Sequence, residues 1–442
     1  MANRLSPYIA VMPRVLCADR HRKSVIIHLR QRHVRRILDQ VEEIRVLRMD
    51  SPVTEYRKWI AEAGPADFSR NEESRGLTVS FETPEEGEYS LVLGKSDEKG
   101  GFAELAAFQV YALREDLFRL MPYKGDFHMH SNCSDGQEGP EYVAATNRKT
   151  GYDFMALTDH KRYEPSLAAK KAMEDFGCDM LVCPGEEVHL PDNPVHIINF
   201  GGKRSVNQLA FDNEEKYYAE VREYERTVPG NFDKATRFQV AASEWTFDRI
   251  RECGGVSMFC HPFWRPAHHN FIGEDVIDLL LERNKFDVLE VIGGFSKNDA
   301  EGNMLSVARW QEEQSKGRRI PVAGISDSHG CDGELTGWYC TIVFAEELSF
   351  DSLADAIRDN RSVAVHWIPD TFPMVVGPFR LVKFAFFLLR EVYPGHDELC
   401  RIEGEIMRRS LAGEEKDAVS QIAARKGAVG RYMEQCWGKM PL

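Results

Sequence analysis

Apolar positions along this chain follow two rhythms, and the change between them falls near residue 120. Before it, apolar and polar residues alternate with period two. Leu77, Val79 and Phe81 keep this spacing, Tyr89, Leu91 and Leu93 repeat it, and Pro84-Glu-Glu-Gly87 sits between them as a turn. The apolar run Ser24–Leu29 and the stretch Phe102–Leu113 read as further strands. Short strands joined by turns predict a small β-sandwich over 1–120. From 121 to 370 short apolar runs alternate with helical stretches instead. Strands are predicted over 125–130, 154–157, 180–183, 195–200, 256–260, 288–292 and 321–325. Thr246 reads as a helix N-cap, with Gly254-Gly255 as the stop after Cys253.

Within this region, 201–242 is longer than an ordinary βα connection, and its Asn213–Arg226 section is charged and helical in pattern. It is expected to form a cap. The last part, 371–442, is predicted helical over 379–393, 397–409 and 414–436, with Pro394-Gly395 ending the first helix. Alternating strands and helices give an α/β class. A barrel of about seven strands fits the runs, and a doubly wound sheet would also gather strand ends on one edge.

Composition narrows the partners. A net charge of −14 counts against long polyanions such as nucleic acid, beyond nucleotides or short oligonucleotides. Ten cysteines without a Cys-x-x-Cys pair point to reduced thiols and a cytoplasmic location. The N-terminus lacks the apolar run of a signal peptide. Phe379–Val392 is too short to span a bilayer and carries Arg380, Lys383 and Arg390, so no membrane partner is expected.

The chemistry lies where the strands end. Nine imidazole or carboxylate residues fall there: His128, His130, Asp135, His160, Glu187, His196, His261, Asp327 and His329. A bare His-x-His is a weak signal. An Asp five residues on, a later Asp-His and a closing Asp-x-His make the joint pattern strong. The donor set suits Zn²⁺, Mn²⁺ or Fe²⁺ rather than thiophilic ions, and nine ligands suffice for two to three ions sharing carboxylates. Such a centre lowers the pKa of bound water, which makes hydrolysis the implied reaction.

Gly125-Asp-Phe-His-Met-His-Ser-Asn-Cys-Ser-Asp-Gly136, Ala156-Leu-Thr-Asp-His160, Pro184-Gly-Glu-Glu187, His196, His261-Pro262 and Ser326-Asp-Ser-His329 resemble, in order, the motifs of the PHP (polymerase and histidinol phosphatase) family. The resemblance covers about 121–370. It implies a distorted (β/α)7 barrel with a trinuclear centre of zinc, manganese or iron, flanked here by the sandwich and the C-terminal helices. It also implies a metal-dependent phosphoesterase. His128, His130, Glu187 and Asp327 would hold one ion, Glu187, His196 and His261 a second, and Asp135, His160 and His329 a third. Asp327, Glu187 and His329 would stand closest to the chemistry.

The family pattern Pro-Gly-x-Glu selects Glu187 over Glu186, which strand alternation turns the other way, so Glu186→Gln should be mild. His196 is preferred to His189 because it opens the apolar run that ends at Gly201-Gly202. Asp126 and Asp159 either orient imidazoles or cap turns, with equal weight. Asp159, or water near His329, is a candidate general acid. Glu290 ends a strand and either faces the site or is a surface or helix-facing carboxylate.

Arg265, and then Lys161, Arg162 and Lys203-Arg204, are candidates to grip phosphate, against the bland reading of solvated cations. His268-His269 read as rim histidines, and Trp245, Phe247, Phe263 and Trp264 as packing. The substrate expected is a small phosphomonoester or nucleotide. A carboxylic or carbamate ester on the same site is the rival reading. Another makes the sandwich a carbohydrate- or protein-binding module, which an exposed aromatic patch would support.

Overall fold

A computed structural model describes residues 9–29, 35–51, 64–71, 76–266, 269–294, 300–333 and 335–440. The chain divides into two compact units. One holds 1–120 with 386–396 and 427–442, and the other holds 121–385 with 397–426.

In the first unit the period-two segments form two four-stranded sheets. Their orders are Ile9–Met12, Asp19–Leu29, Gly76–Thr83, Asp67–Asn71 and Val15–Cys17, Phe102–Leu113, Gly87–Ser96, Glu43–Arg48. The inward positions of both sheets share one core, with Ile27 and Val79 of one and Leu91 and Val110 of the other fully buried. Burial of each such side chain contributes about 1.5–3 kcal/mol. None of the described aromatic residues in these strands is exposed.

The second unit is a mixed α/β fold. Its six-stranded sheet runs Leu181–Cys183, Phe154–Ala156, Met121–Asp126, Tyr339–Ala345, Ser362–His366, Met374–Val376, and its five-stranded sheet runs Gly185–Val188, Ile197–Phe200, Val256–Phe259, Val288–Ile292, Val322–Gly324. Each predicted strand has a counterpart. Gly185–Val188, Tyr339–Ala345, Ser362–His366 and Met374–Val376 were not foreseen, and they bring antiparallel pairing into both sheets. Among the described residues the ladders make two sheets rather than one closed barrel. Phe127, Phe154, Phe200, Met258 and Val343 pack in one core shared by both sheets.

Two helix expectations change. Thr246 lies inside helix Lys234–Glu252, where its hydroxyl donates to the Ala242 carbonyl at 2.8 Å, and the N-cap is Asp233, which accepts from Ala235 N and Thr236 N. The stop stands as expected, with Gly254 at φ +80°. Pro394-Gly395 does not end a helix. Helix Phe379–Phe387 passes through a π-turn, Leu388–Val392, into helix Tyr393–Leu411. The wider turn accommodates the proline ring and its missing N–H, and Tyr432 donates to the Val392 carbonyl at 2.9 Å. Helix Glu214–Glu225 forms where expected, capped by Asn213, and turns Tyr217 onto Trp245 of helix Lys234–Glu252 at 5.2 Å between ring centres. No described helix is long and apolar enough to cross a membrane.

Candidate metal centre

The ladder of strand Met121–Asp126 stops at Asp126, short of the predicted 130, but the chain stays extended. Beyond Asp126 it leaves its antiparallel partner and is clamped by two loops. Thr158 N donates to the Met129 carbonyl, His130 N to the Ser328 carbonyl and Asp327 N to the His128 carbonyl, at 2.9 Å each. Alternation buries Phe127 and Met129 in apolar cores and turns His128 and His130 to the opposite side, where they are 0% and 1% exposed. Asp327 and His261 are held at φ +50° and +28°, a conformation costing on the order of 1 kcal/mol or more for a non-glycine residue. A Cβ at Gly294 would lie 2.3 Å from the Ser326 carbonyl oxygen, so this glycine allows the Asp327 loop its close approach.

Glu187 is the hub. Its side chain is fully buried, and its two oxygens face different imidazoles. Oε2 lies 2.7 Å from His160 Nδ1, 3.4 Å from His128 Nε2 and 3.5 Å from His130 Nε2. Oε1 lies 2.8 Å from His196 Nδ1, 3.2 Å from His189 Nε2 and 3.5 Å from His261 Nε2. Asp327 approaches His130 Nε2 at 2.9 Å and His128 Nε2 at 3.2 Å. Towards solvent, Asp135 stands 3.4 Å from both His160 Nε2 and His329 Nε2. All nine predicted ligand residues are thus brought together, with Asp135 and His329 at the open side and Glu187 at the bottom.

Charge in this cluster is delicately set. Burial penalises ionised Glu187, but the surrounding histidines, His128 and His196 foremost, hold its carboxyl well below the usual range. Burial lowers His196 to about 4. At His128 burial acts in the same direction but is outweighed by Asp327 and Glu187, which push it up to about 9. Burial raises Asp126 to about 7.

Divalent ions fit these residues. Both oxygens of Glu187, both ring nitrogens of His128, His130 Nδ1 and His261 Nδ1 are buried without a hydrogen-bond partner. Leaving such atoms unpaired costs about 1–3 kcal/mol each. Cations bound by the Glu187 oxygens and by one ring nitrogen of each histidine would remove most of that cost. Cys260 also lies within ligand reach of His128 and His261, although burial pushes its thiol up to about 12.

Neighbouring groups divide by role. Asp159 accepts from Ser131 N, Ser131 Oγ and Ser134 Oγ, and Asp126 from His128 N and Ser326 N. Both therefore cap backbone turns rather than touching an imidazole. Glu290 accepts from His261 N at 2.8 Å, so it fixes the backbone of that candidate ligand. Glu186 does face away from the cluster, yet it is fully buried and accepts from Asn199, Ser205, Val206 N and Asn207. The expectation that Glu186→Gln is mild is corrected on that ground, since an amide NH₂ would oppose N–H and O–H donors.

Arg265 bonds Asn270 and Glu301, each within 2.8 Å. Lys161 lies over the Phe211 ring and Arg204 donates to Cys253. Trp264, tilted, and Phe271, edge-on, lie beside His196 with ring centres at 5.9 and 5.4 Å and form an aromatic wall. Trp245, Phe247 and Phe263 are core residues. His268 lies outside the described residues. His189, ranked below His196 as a candidate on sequence grounds, stands in the cluster beside it with 3.8 Å between ring centres. The signal for it was the Glu187-x-His189 spacing on a strand.

No family model matches the sequence. A segment of 55 residues is 42% identical to the DNA polymerase/3′-5′ exonuclease PolX of Bacillus subtilis, spanning 12% of this chain and 10% of that protein. Among solved structures, a two-domain protein from Bacteroides vulgatus containing a predicted PHP-like metal-dependent phosphoesterase is 20% identical, with a TM-score of 0.42, over 61% of this chain and 71% of that one. A lesion-specific endonuclease from Pyrococcus furiosus is 11% identical, with a TM-score of 0.32, over 72% and 91% of the two chains.

Proposed function

We propose that this protein is a metal-dependent hydrolase of the PHP type, a phosphoesterase acting on a small phosphomonoester or nucleotide. The observation carrying the proposal is Glu187, a buried carboxylate whose two unpaired oxygens are ringed by six imidazoles. His128, His130, Glu187 and Asp327, then Glu187, His196 and His261, then Asp135, His160 and His329 would hold two or three ions of zinc, manganese or iron. Such ions supply Lewis acidity and a lowered water pKa when bound. The second unit is read as a distorted (β/α)7 barrel, supported by strands Met121–Asp126, Phe154–Ala156, Val256–Phe259 and Val322–Gly324, whose C-terminal ends lead into His128, His160, His261 and Asp327. The domain reading remains 1–120, 121–370 with 201–242 as an inserted segment, and 371–442.

The chain's own groups have separable tasks. Asp327 and Glu187 fix the imidazoles. His329, 39% exposed in its side chain, is oriented by its Nδ1 contact with the Asp327 carbonyl, which turns Nε2 towards Asp135 at the open side, and water near it is the candidate general acid. Asp159 is a poor acid candidate because two serines occupy its carboxylate. Phosphate grip is assigned to Arg265 first, then Lys161 and Arg162. One observation favours the carboxylic or carbamate ester reading. The wall beside His196 is aromatic, from Trp264 and Phe271, while Arg265 is engaged with Glu301.

A panel of phosphomonoesters, dinucleotides and aryl esters, assayed with Mn²⁺, Zn²⁺ and Fe²⁺, tests the proposal. Turnover of a phosphoester that Glu187→Gln abolishes, with the fold retained by circular dichroism, is the expected result. Turnover of aryl esters alone transfers the site to the second reading. No turnover and no bound metal would remove the hydrolase proposal.

A further inference from the structure

Strand Gly185–Val188 carries Glu187 to the cluster, and the next residue on the same side is His189. Two residues of extended chain turn both side chains one way, as they do for His128 and His130. Val188 between them points into the apolar core. The backbone at His189 is fixed as well. Its N–H donates to Asn207 Oδ1 at 3.0 Å, and Asn207 in turn donates to the Glu187 carbonyl and to Glu186. Two buried side chains, Glu186 and Asn207, thus hold the Glu187–His189 segment in register with the cluster.

The His189 ring is aimed at ligand atoms. Nε2 lies 3.2 Å from Glu187 Oε1 and 3.0 Å from His160 Nδ1, and the ring stacks on His196 with 3.8 Å between centres and 27° between planes. His160, Glu187 and His189 therefore offer three donor atoms within 4.8 Å of one another. Neither oxygen of Glu187 accepts a hydrogen bond, and His189 Nε2 stands between Glu187 Oε1 and His160 Nδ1, its hydrogen-bond partner.

We propose that His189 is a tenth protein ligand of the centre, at the edge where Glu187 meets His160. This rests on the metal-binding reading above. An added imidazole in place of an oxygen donor shifts a divalent site towards ions that favour nitrogen, such as zinc or iron, and away from manganese.

The test compares the full-length wild type with His189→Ala and His189→Gln. Metal content after loading with Zn²⁺ or Mn²⁺ is measured by elemental analysis, affinity by chelator competition, and ligand field by the absorption spectrum of the cobalt-loaded protein. The fold is checked by circular dichroism. Both variants should lose Zn²⁺ affinity by about tenfold or more, with a changed cobalt spectrum and a smaller loss for Mn²⁺. His366→Ala, which removes another imidazole without hydrogen-bond partners, should leave all three readouts unchanged.

If glutamine restores affinity to within about twofold, His189 is a hydrogen-bond partner and the assignment is overturned. Full affinity and an unchanged spectrum in His189→Ala overturn it as well. A wild-type chain that takes up no ion under any loading overturns the metal reading itself, and the His189 assignment with it.

Discussion

At the scale of single residues, a carboxylate's neighbours decide what its replacement does. Glu187 and Glu186 adjoin in sequence and are both fully buried, yet one meets imidazoles and the other N–H and O–H donors. Glu187→Gln should release metal and abolish hydrolysis while the fold persists. Glu186→Gln should instead cost about 1–3 kcal/mol of stability, read as a lowered midpoint in urea. A midpoint equal to wild type would show that the amide repacks. Arg265→Ala separates two roles. If its guanidinium leaves Glu301 to take phosphate, kcat/KM for phosphoesters falls about 30-fold or more with little change for aryl esters, as expected for a bidentate contact worth roughly 2–4 kcal/mol. If it only ties the loop through Asn270 and Glu301, both substrate classes lose equally.

At the scale of elements, helix Pro140–Thr150 and helix Tyr393–Leu411 meet through a buried ion pair. Arg148 donates to Glu403 at 2.8 Å and to the Tyr152 carbonyl at 3.1 Å, with Arg148 and Glu403 1% and 2% exposed. A Cβ at Gly404 would come within 2.2 Å of Lys149 N, so the helices touch at backbone distance there. Removing one charge strands the other. Arg148→Met or Glu403→Gln alone should destabilise by about 3–5 kcal/mol, whereas replacing both with apolar residues should recover much of that loss. A double-mutant cycle with no coupling energy would show that the pair contributes nothing. The same helix illustrates why a proline is an unreliable stop, since a π-turn ahead of Pro394 let it continue.

At the scale of the whole molecule, bound metal is expected to act as a stabilising ligand of the unit that holds 121–385. At a free concentration one hundred times Kd it adds about 2.7 kcal/mol. Calorimetry with and without chelator should therefore move the unfolding of this unit and leave that of the sheet unit in place. Equal movement of both would mean that they unfold together. With no described aromatic exposed on the strands of the sheet unit, the carbohydrate-module reading gains no support from those faces.

The sequence by itself determined the alternating faces of the N-terminal strands, the sites of the seven predicted strands and the donor atoms of the cluster. These are local properties, because burying one face of a strand demands period two and metal donors are few in kind. Tertiary structure decided the rest. Pairing direction depends on partners distant in the chain, so the antiparallel strand Tyr339–Ala345 beside Met121–Asp126 was not legible. Helix starts were hidden where Asp233 outcompeted Thr246. His189 and His196 each had a plausible signal, and only folding brought both within reach of one carboxylate oxygen. Glu186 seemed expendable by alternation, until the loop at 199–207 folded back to give it four donors. Alternation fixes which way a side chain points, but what waits there is set by residues far along the chain.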